Sequence, residues 1–104
     1  MTVLEKRLEL HEKLCAILGS RNVYFEPPAS VNMKYPAIRY SRERIDNRYA
    51  DNQQYIRNIR YSITVIYKDP DDDLPIRISE LSRIRHDRSY TADNLHHDVF
   101  TIYY

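Results

Sequence analysis

Residues Asn58 to Lys68 read Asn-Ile-Arg-Tyr-Ser-Ile-Thr-Val-Ile-Tyr-Lys, and their alternation decides the fold. Ile59, Tyr61, Ile63, Val65 and Tyr67 fall on one side. Arg60, Ser62, Thr64 and Lys68 fall on the other, with Ile66 the single apolar intruder. β-Branched and aromatic residues at period 2 describe a strand with one face on a core and one near water. Such a strand is not stable alone, so its apolar face requires partners. None of its residues suggests catalytic chemistry, which favours a scaffold or binding module.

Partners are present on both sides in the sequence. Ala37 to Asp46 alternates again, with Ile38, Tyr40 and Arg42 opposite Arg39, Ser41 and Glu43. Leu95 to Tyr104 places Leu95, His97, Val99, Thr101 and Tyr103 on one face and His96, Asp98, Phe100, Ile102 and Tyr104 on the other. The chain ends inside this pattern, so its terminus is expected to be built into the sheet. Arg83 to Ala92 reads as a further strand, joined to the last by a turn at Asp93 and Asn94, and Asn22 to Phe25 as a short edge strand. Pro27, Pro28 and Pro36 make the stretch between extended and irregular.

Two helices are expected to cover the sheet. Thr2 to Leu18 carries a stripe of Leu4, Leu8, His11, Cys15 and Leu18, widened by Leu10, Leu14 and Ile17. Thr2 and Glu5 have capping-box spacing, and Gly19, the one glycine, is placed as the C-cap. His11 reads as a border residue of the stripe. A short helix begins near Asp73, a candidate cap, with Pro75 in its first turn and Leu74, Ile78 and Leu81 inward. Helix, strands, helix, strands, with no βαβ repeat, predicts one α+β domain over residues 1–104: a mainly antiparallel sheet with a long N-terminal and a short second helix packed on it.

Composition removes several functions. With 104 residues the chain can bury roughly two thirds of its unfolded surface. A formal net charge of +1 provides no overall field for nucleic acid or membrane. No apolar run has the length of a membrane span, and Glu5, Glu9 and Glu12 are unlike a signal peptide. Cys15 is the only cysteine, so no intrachain disulfide or cysteine metal cluster forms, and a buried, inert thiol is expected. The protein is therefore expected to be made and used in a cytoplasm, or in a particle assembled there. One glycine allows no phosphate-binding loop, and no Gly-x-Ser-x-Gly elbow is present.

Two clusters resemble metal sites. Asp69, Asp71, Asp72 and Asp73 lack the glycine and the distal glutamate of an EF-hand, and read as helix capping and solvation. His96 and Asp98 share a strand face beside His97, with a third ligand to be sought at His86 or Asp87; adjacent histidines have no zinc-site spacing. The expectation is no metal, no cofactor and no catalytic residue.

Ten tyrosines and many arginines remain to be explained. Asn47 to Arg57 is polar and reads as a long, mobile connection between antiparallel strands. Around it Arg39, Arg42, Arg44, Arg48, Arg57 and Arg60 interleave with Tyr40, Tyr49, Tyr55 and Tyr61. Arginine and tyrosine are enriched at protein–protein hot spots, and also serve single-stranded nucleic acid, although Glu43, Asp46 and Asp51 dilute the field here. The candidate protein–protein interface is Arg39, Arg42, Arg48, Tyr49, Gln53, Tyr55, Arg60, Tyr90, His96 and Tyr104. A solvated strand face is the plain alternative.

The last fifteen residues, Tyr90-Thr-Ala-Asp-Asn-Leu-His-His-Asp-Val-Phe-Thr-Ile-Tyr-Tyr104, resemble the ending of small tail proteins of long-tailed phages and prophages. Tyr35 to Tyr40, and Tyr49 to Asn52 followed by Arg60 to Ile66, have the same look, and together with the N-terminal helix the resemblance spans nearly the whole chain. It implies a tail-terminator or tail-completion protein of α+β fold. Such a protein forms a ring, commonly of six copies, on the end of the tail tube. Its implied partners are its own copies, the major tail-tube protein and the neck or head-closure protein, with DNA only passing through the lumen, in the virion. Another head–tail connector or neck component is the near alternative. A nucleic-acid-binding module using the Arg/Tyr hairpin is the alternative of a different class.

Overall fold

The computed structural model describes residues 2–49 and 55–104, and the side chains of all of these except 47–49 and 55–57. Helix α1 spans Val3–Leu18 and α2 spans Leu74–Ser79. Strands β1 (Val23–Phe25), β2 (Ala37–Tyr49), β3 (Tyr55–Tyr67), β4 (Ile84–Ala92) and β5 (Leu95–Tyr103) form one sheet in the order β1-β2-β3-β5-β4. Every pairing is antiparallel except β1 with β2, so the fold is α+β with a mostly antiparallel sheet.

β3 lies between β2 and β5, and its apolar alternation is buried: Ile63 and Val65 are fully inaccessible, and Ile59, Tyr61 and Tyr67 nearly so. Across from it Ile38, Tyr40, Phe100 and Ile102 complete the sheet side of the core. Leu10, Leu14 and Cys15 of α1 and Leu74 and Ile78 of α2 cover that same face. The opposite face carries no helix among the described residues. The crossover between β1 and β2 reaches it at one corner, where Lys34 N–H donates to Tyr24 Oη at 3.4 Å.

Local signals act as their chemistry dictates. Thr2 and Glu5 form the capping box, and Gly19 ends α1 at φ 81°, a left-handed conformation that costs glycine little. Asp93 and Asn94 both take positive φ (53° and 61°) between β4 and β5, the geometry of a tight hairpin turn.

Three expectations are corrected. First, the buried side of α1 is centred on Leu10 and Leu14, and Leu4 and Leu8 are 58% and 47% exposed. The helix turns Leu10 and Leu14 into the core, and on its flank Arg7 and His11 converge on one group, the Tyr40 hydroxyl. Arg7 donates to it at 3.1 Å, and the hydroxyl lies 2.7 Å from His11 Nδ1. The Arg7 guanidinium also lies 4.2 Å from the Phe25 ring centroid. Second, Asp73 does not cap α2 through its side chain; it pairs with Arg77 at 3.1 Å, and Asp72 accepts Leu74 N–H instead. Third, Asn47 to Arg57 is not one long loop. β2 runs to Tyr49 and β3 starts at Tyr55, with Asn47, Arg48 and Tyr49 paired to Arg57, Ile56 and Tyr55. Backbone pairing needs no apolar alternation, so a polar stretch can continue a ladder. Only 50–54 separate the strands, and they lie outside the described residues.

Burial, followed by the charges of Arg21 and Arg7, holds the His11 pKa below its ordinary 6.5, so the neutral ring accepts the Tyr40 O–H. A depressed pKa contributes stability that is present above pH 6.5 and lost as pH falls through the folded-state value. Tyr40→Phe should therefore cost about 1 kcal/mol at pH 7 and less at pH 5, read by urea denaturation. Equal costs at both pH values would show that Nδ1 is not the acceptor.

Candidate interaction surface

Two 13-residue strands outrun their neighbours. β1 pairs with β2 only at Ile38 to Tyr40, and β5 pairs with β3 from Arg60 to Tyr67. Beyond Ile59 the β2–β3 hairpin is a two-stranded arm, about 15 Å long at ~3.3 Å per residue. Its register contains one irregularity: Arg42 opposes Tyr61 and Arg44 opposes Arg60, leaving Glu43 as a bulge. The extra residue keeps Ile45 opposite Ile59 on the helix side, where Ile45 is 50% exposed.

The arm and the helix-free sheet face hold most of the candidate interface residues. Arg39 and Arg42 are exposed, Arg39 on the helix-free side and Arg42 on the helix side opposite Tyr61. Arg60 lies on the helix-free side with Nε 2.9 Å from Glu43 Oε2. That N–H is off line, so the contact is an ion pair, and Nε is buried without a hydrogen-bond acceptor. Tyr90 stacks on His97 at 4.6 Å and 12°, with Arg88 at 5.4 Å from its ring. Arg48, Tyr49 and Tyr55 are arm positions whose side chains lie outside the described residues, as does Gln53 entirely. His96 and Tyr104 sit apart from this group on the helix side. His96 stacks on Tyr67 at 5.5 Å, and Tyr104 Oη donates to Glu9 while Lys13 lies 4.9 Å from its ring. Tyr104 thereby fastens β5 to α1.

A second group, built around Asp98, is only partly foreshadowed in the sequence. β4 has its own bulge: His86 opposes Phe100 and Arg88 opposes Val99, with Asp87 extra. In a regular strand His86 and Ser89 would face opposite ways; the bulge brings both to the helix side. There Asp98, 6% exposed, accepts from Tyr67 Oη at 2.5 Å and from Ser89 Oγ, and lies 2.9 Å from His86 Nε2. Burial pushes the Asp98 carboxyl up, but the hydrogen bonds from Ser89, Tyr67 and His86 outweigh it and hold the group below the usual aspartate value. Burial first, and the Asp98 hydrogen bond second, push the Tyr67 phenol up to about 12. The pairing of His96 with Asp98 as joint ligands is not what the fold builds: His86 meets Asp98, and Asp87 turns to Thr101 at 2.5 Å. A carboxylate at an apolar-face position was the signal, since a buried charge requires partners.

Ser89, His86 and Asp98 do not form a nucleophilic triad. One ring nitrogen, Nε2, faces both Ser89 Oγ (3.1 Å) and Asp98 Oδ1 (2.9 Å). A relay needs the carboxylate on the other nitrogen, and here the serine itself donates to the carboxylate. Among the described residues no three or more His, Cys, Asp or Glu side chains group as metal ligands. Beside Asp98 a groove of about 590 Å³ opens on the helix side, floored by Tyr67, His86 and Asp98 and walled by Pro75, Ile76 and Phe100, with Asp71, Asp72 and Asp73 at its mouth.

Compared with known proteins, the chain matches no family model and no curated protein.

A raised phenol pKa contributes stability that is complete below about pH 10 and lost as pH rises toward 12. Tyr67→Phe should lower stability by about 1.5–3 kcal/mol at pH 8, the range for a hydrogen bond to a charged group. The gap from wild type should narrow between pH 10 and 12 in urea titrations. A gap that stays constant through that window would contradict the Tyr67–Asp98 bond.

Proposed function

We propose that the chain is a structural subunit that self-associates into a closed ring, in the manner implied by its resemblance to phage tail-terminator and tail-completion proteins. The observation that supports this reading is the arm: two strands extended past the sheet, with the exposed Arg42 and Arg44 just before its base. An isolated two-stranded hairpin is marginal in water, so an arm of this kind gains from a partner surface. Farther along β3, level with Thr64 and Ile66, the helix-free sheet face presents Arg39, Arg88 and a stacked Tyr90–His97 pair, residue types favoured at interfaces.

Ring closure needs a heterologous interface, in which one patch meets a different patch on the next copy. Mixed charge suits that geometry, because complementary signs fix partner and register. In this reading the ring sits at the end of the tail tube, bound to the tube protein on one side and to a neck protein on the other, while DNA traverses the hole. The buried Asp98 cluster then serves the fold rather than a reaction.

Native mass spectrometry and negative-stain imaging of the purified full chain test the reading. One closed species of fixed stoichiometry with a central hole is expected. A monomer at the highest attainable concentration, or an open-ended ladder of sizes, would contradict it. Salt-dependent binding of single-stranded DNA by a monomer would favour the nucleic-acid alternative.

A further inference from the structure

The groove beside α2 and the hairpin arm have complementary chemistry at opposite ends of the molecule. Tyr67, on the groove floor, ends β3, and Ile59, at the root of the arm, lies eight residues before it. That separation is about 26 Å along an extended strand, and the arm points away, so the arm is out of reach of its own groove. Both features open toward the helix side. The groove has Tyr67, Phe100 and Ile76 there, and the arm has Ile45, with Arg42 just before its base.

Charge is matched between the two ends. At the base of the arm Arg44 pairs with Asp46 and Arg60 with Glu43, while Arg42 stands exposed on the helix side as a positive charge. Residues 68–73 hold Asp69, Asp71, Asp72 and Asp73 against Lys68, a net −3. Apolar surface is matched as well: Ile76 on the groove wall is 63% exposed and Ile45 on the arm 50% exposed. An apolar contact framed by opposite charges gives an interface both area and direction.

We propose that the groove takes the arginine-bearing arm of a second copy of this chain. The contact is head to tail: each copy gives its arm to one neighbour and receives an arm from the other. This rests on the self-association reading and supplies its interface. Ile45 seats against Ile76, and Arg42 meets the carboxylates of Asp71 and Asp73 at the mouth.

Reversed-charge variants test it by complementation. The arm variant carries Arg42→Glu and Arg44→Glu; the groove variant carries Asp71→Lys and Asp73→Lys. All four side chains are exposed, and the two surface ion pairs lost, Arg44–Asp46 and Asp73–Arg77, are each worth under about 1 kcal/mol, so melting curves close to wild type are expected. Each variant alone should lose self-association, with the midpoint concentration raised at least about tenfold. An equal mixture should regain it, because an acidic arm fits a basic groove and the native arm fits the native groove. Native mass spectrometry should then show both chains in equal numbers. Either variant assembling alone like wild type would overturn the proposal and leave the ring reading standing, with its interface elsewhere. A mixture that fails to assemble would also overturn it. A wild-type chain that never self-associates would remove the ring reading and this one together. Should a reversed chain not fold, Arg42→Gln and Asp71→Asn, each expected to shift the midpoint by a smaller factor, decide the same question.

Discussion

A central strand must satisfy its backbone on both edges while burying its apolar face, and β3 carries that constraint here, with Thr64 and Ile66 of its other face buried as well. β2 and β5 saturate its edges, and Ile59, Tyr61, Ile63, Val65 and Tyr67 supply the buried face. Everything else is placed relative to that face. Both helices lie on it, α1 steered by the Arg7–Tyr40–His11 contacts and α2 by Leu74 and Ile78. The other face is left without a helix among the described residues, available for contacts beyond the chain.

The same strand overshoots its neighbours, and two bulges adjust what the overshoot presents. Glu43 shifts β2 by one residue so that Ile45 remains on the helix side of the arm. Asp87 shifts β4 so that His86 and Ser89 meet Asp98. Each bulge is held by polar contacts on the helix-free side: Glu43 with Arg60, and Asp87 with Arg85 and Thr101. One extra residue in a strand therefore decides which side chains share a face, which is the physical content of both surfaces described above.

Strand faces were legible in the sequence wherever one side is buried. The apolar faces of β3 and β5, the Thr2–Glu5 capping box, Gly19 and the Asp93–Asn94 turn all act as their chemistry suggests, whereas Thr64, Ile66 and Thr101, on the face expected near water, are buried. What could not be read were features set by pairing rather than by composition. The arm hid in polar residues, because a ladder between two wet strands leaves no hydrophobic period. The bulges depend on counting against a partner strand. The Asp98 group depends on a bulge in turn, although an aspartate between Val99, Phe100 and Ile102 on one side and His97 on the other already demanded donors. α1 turns Leu4 and Leu8 outward and sets Arg7 and His11 on a tyrosine hydroxyl 33 and 29 residues away in sequence, a pairing no local pattern shows.

Directional assembly is the proposal in which these pieces meet: the arm, with Arg42 and Arg44 at its base, toward one end of β3, and an acidic, partly apolar groove at the other. Electron cryomicroscopy of the self-associated protein tests this most directly. The account predicts a closed annulus in which each arm lies on the α2 groove of the adjacent copy. A two-fold dimer with arms paired to each other, or a ring whose grooves all face solvent, would contradict it.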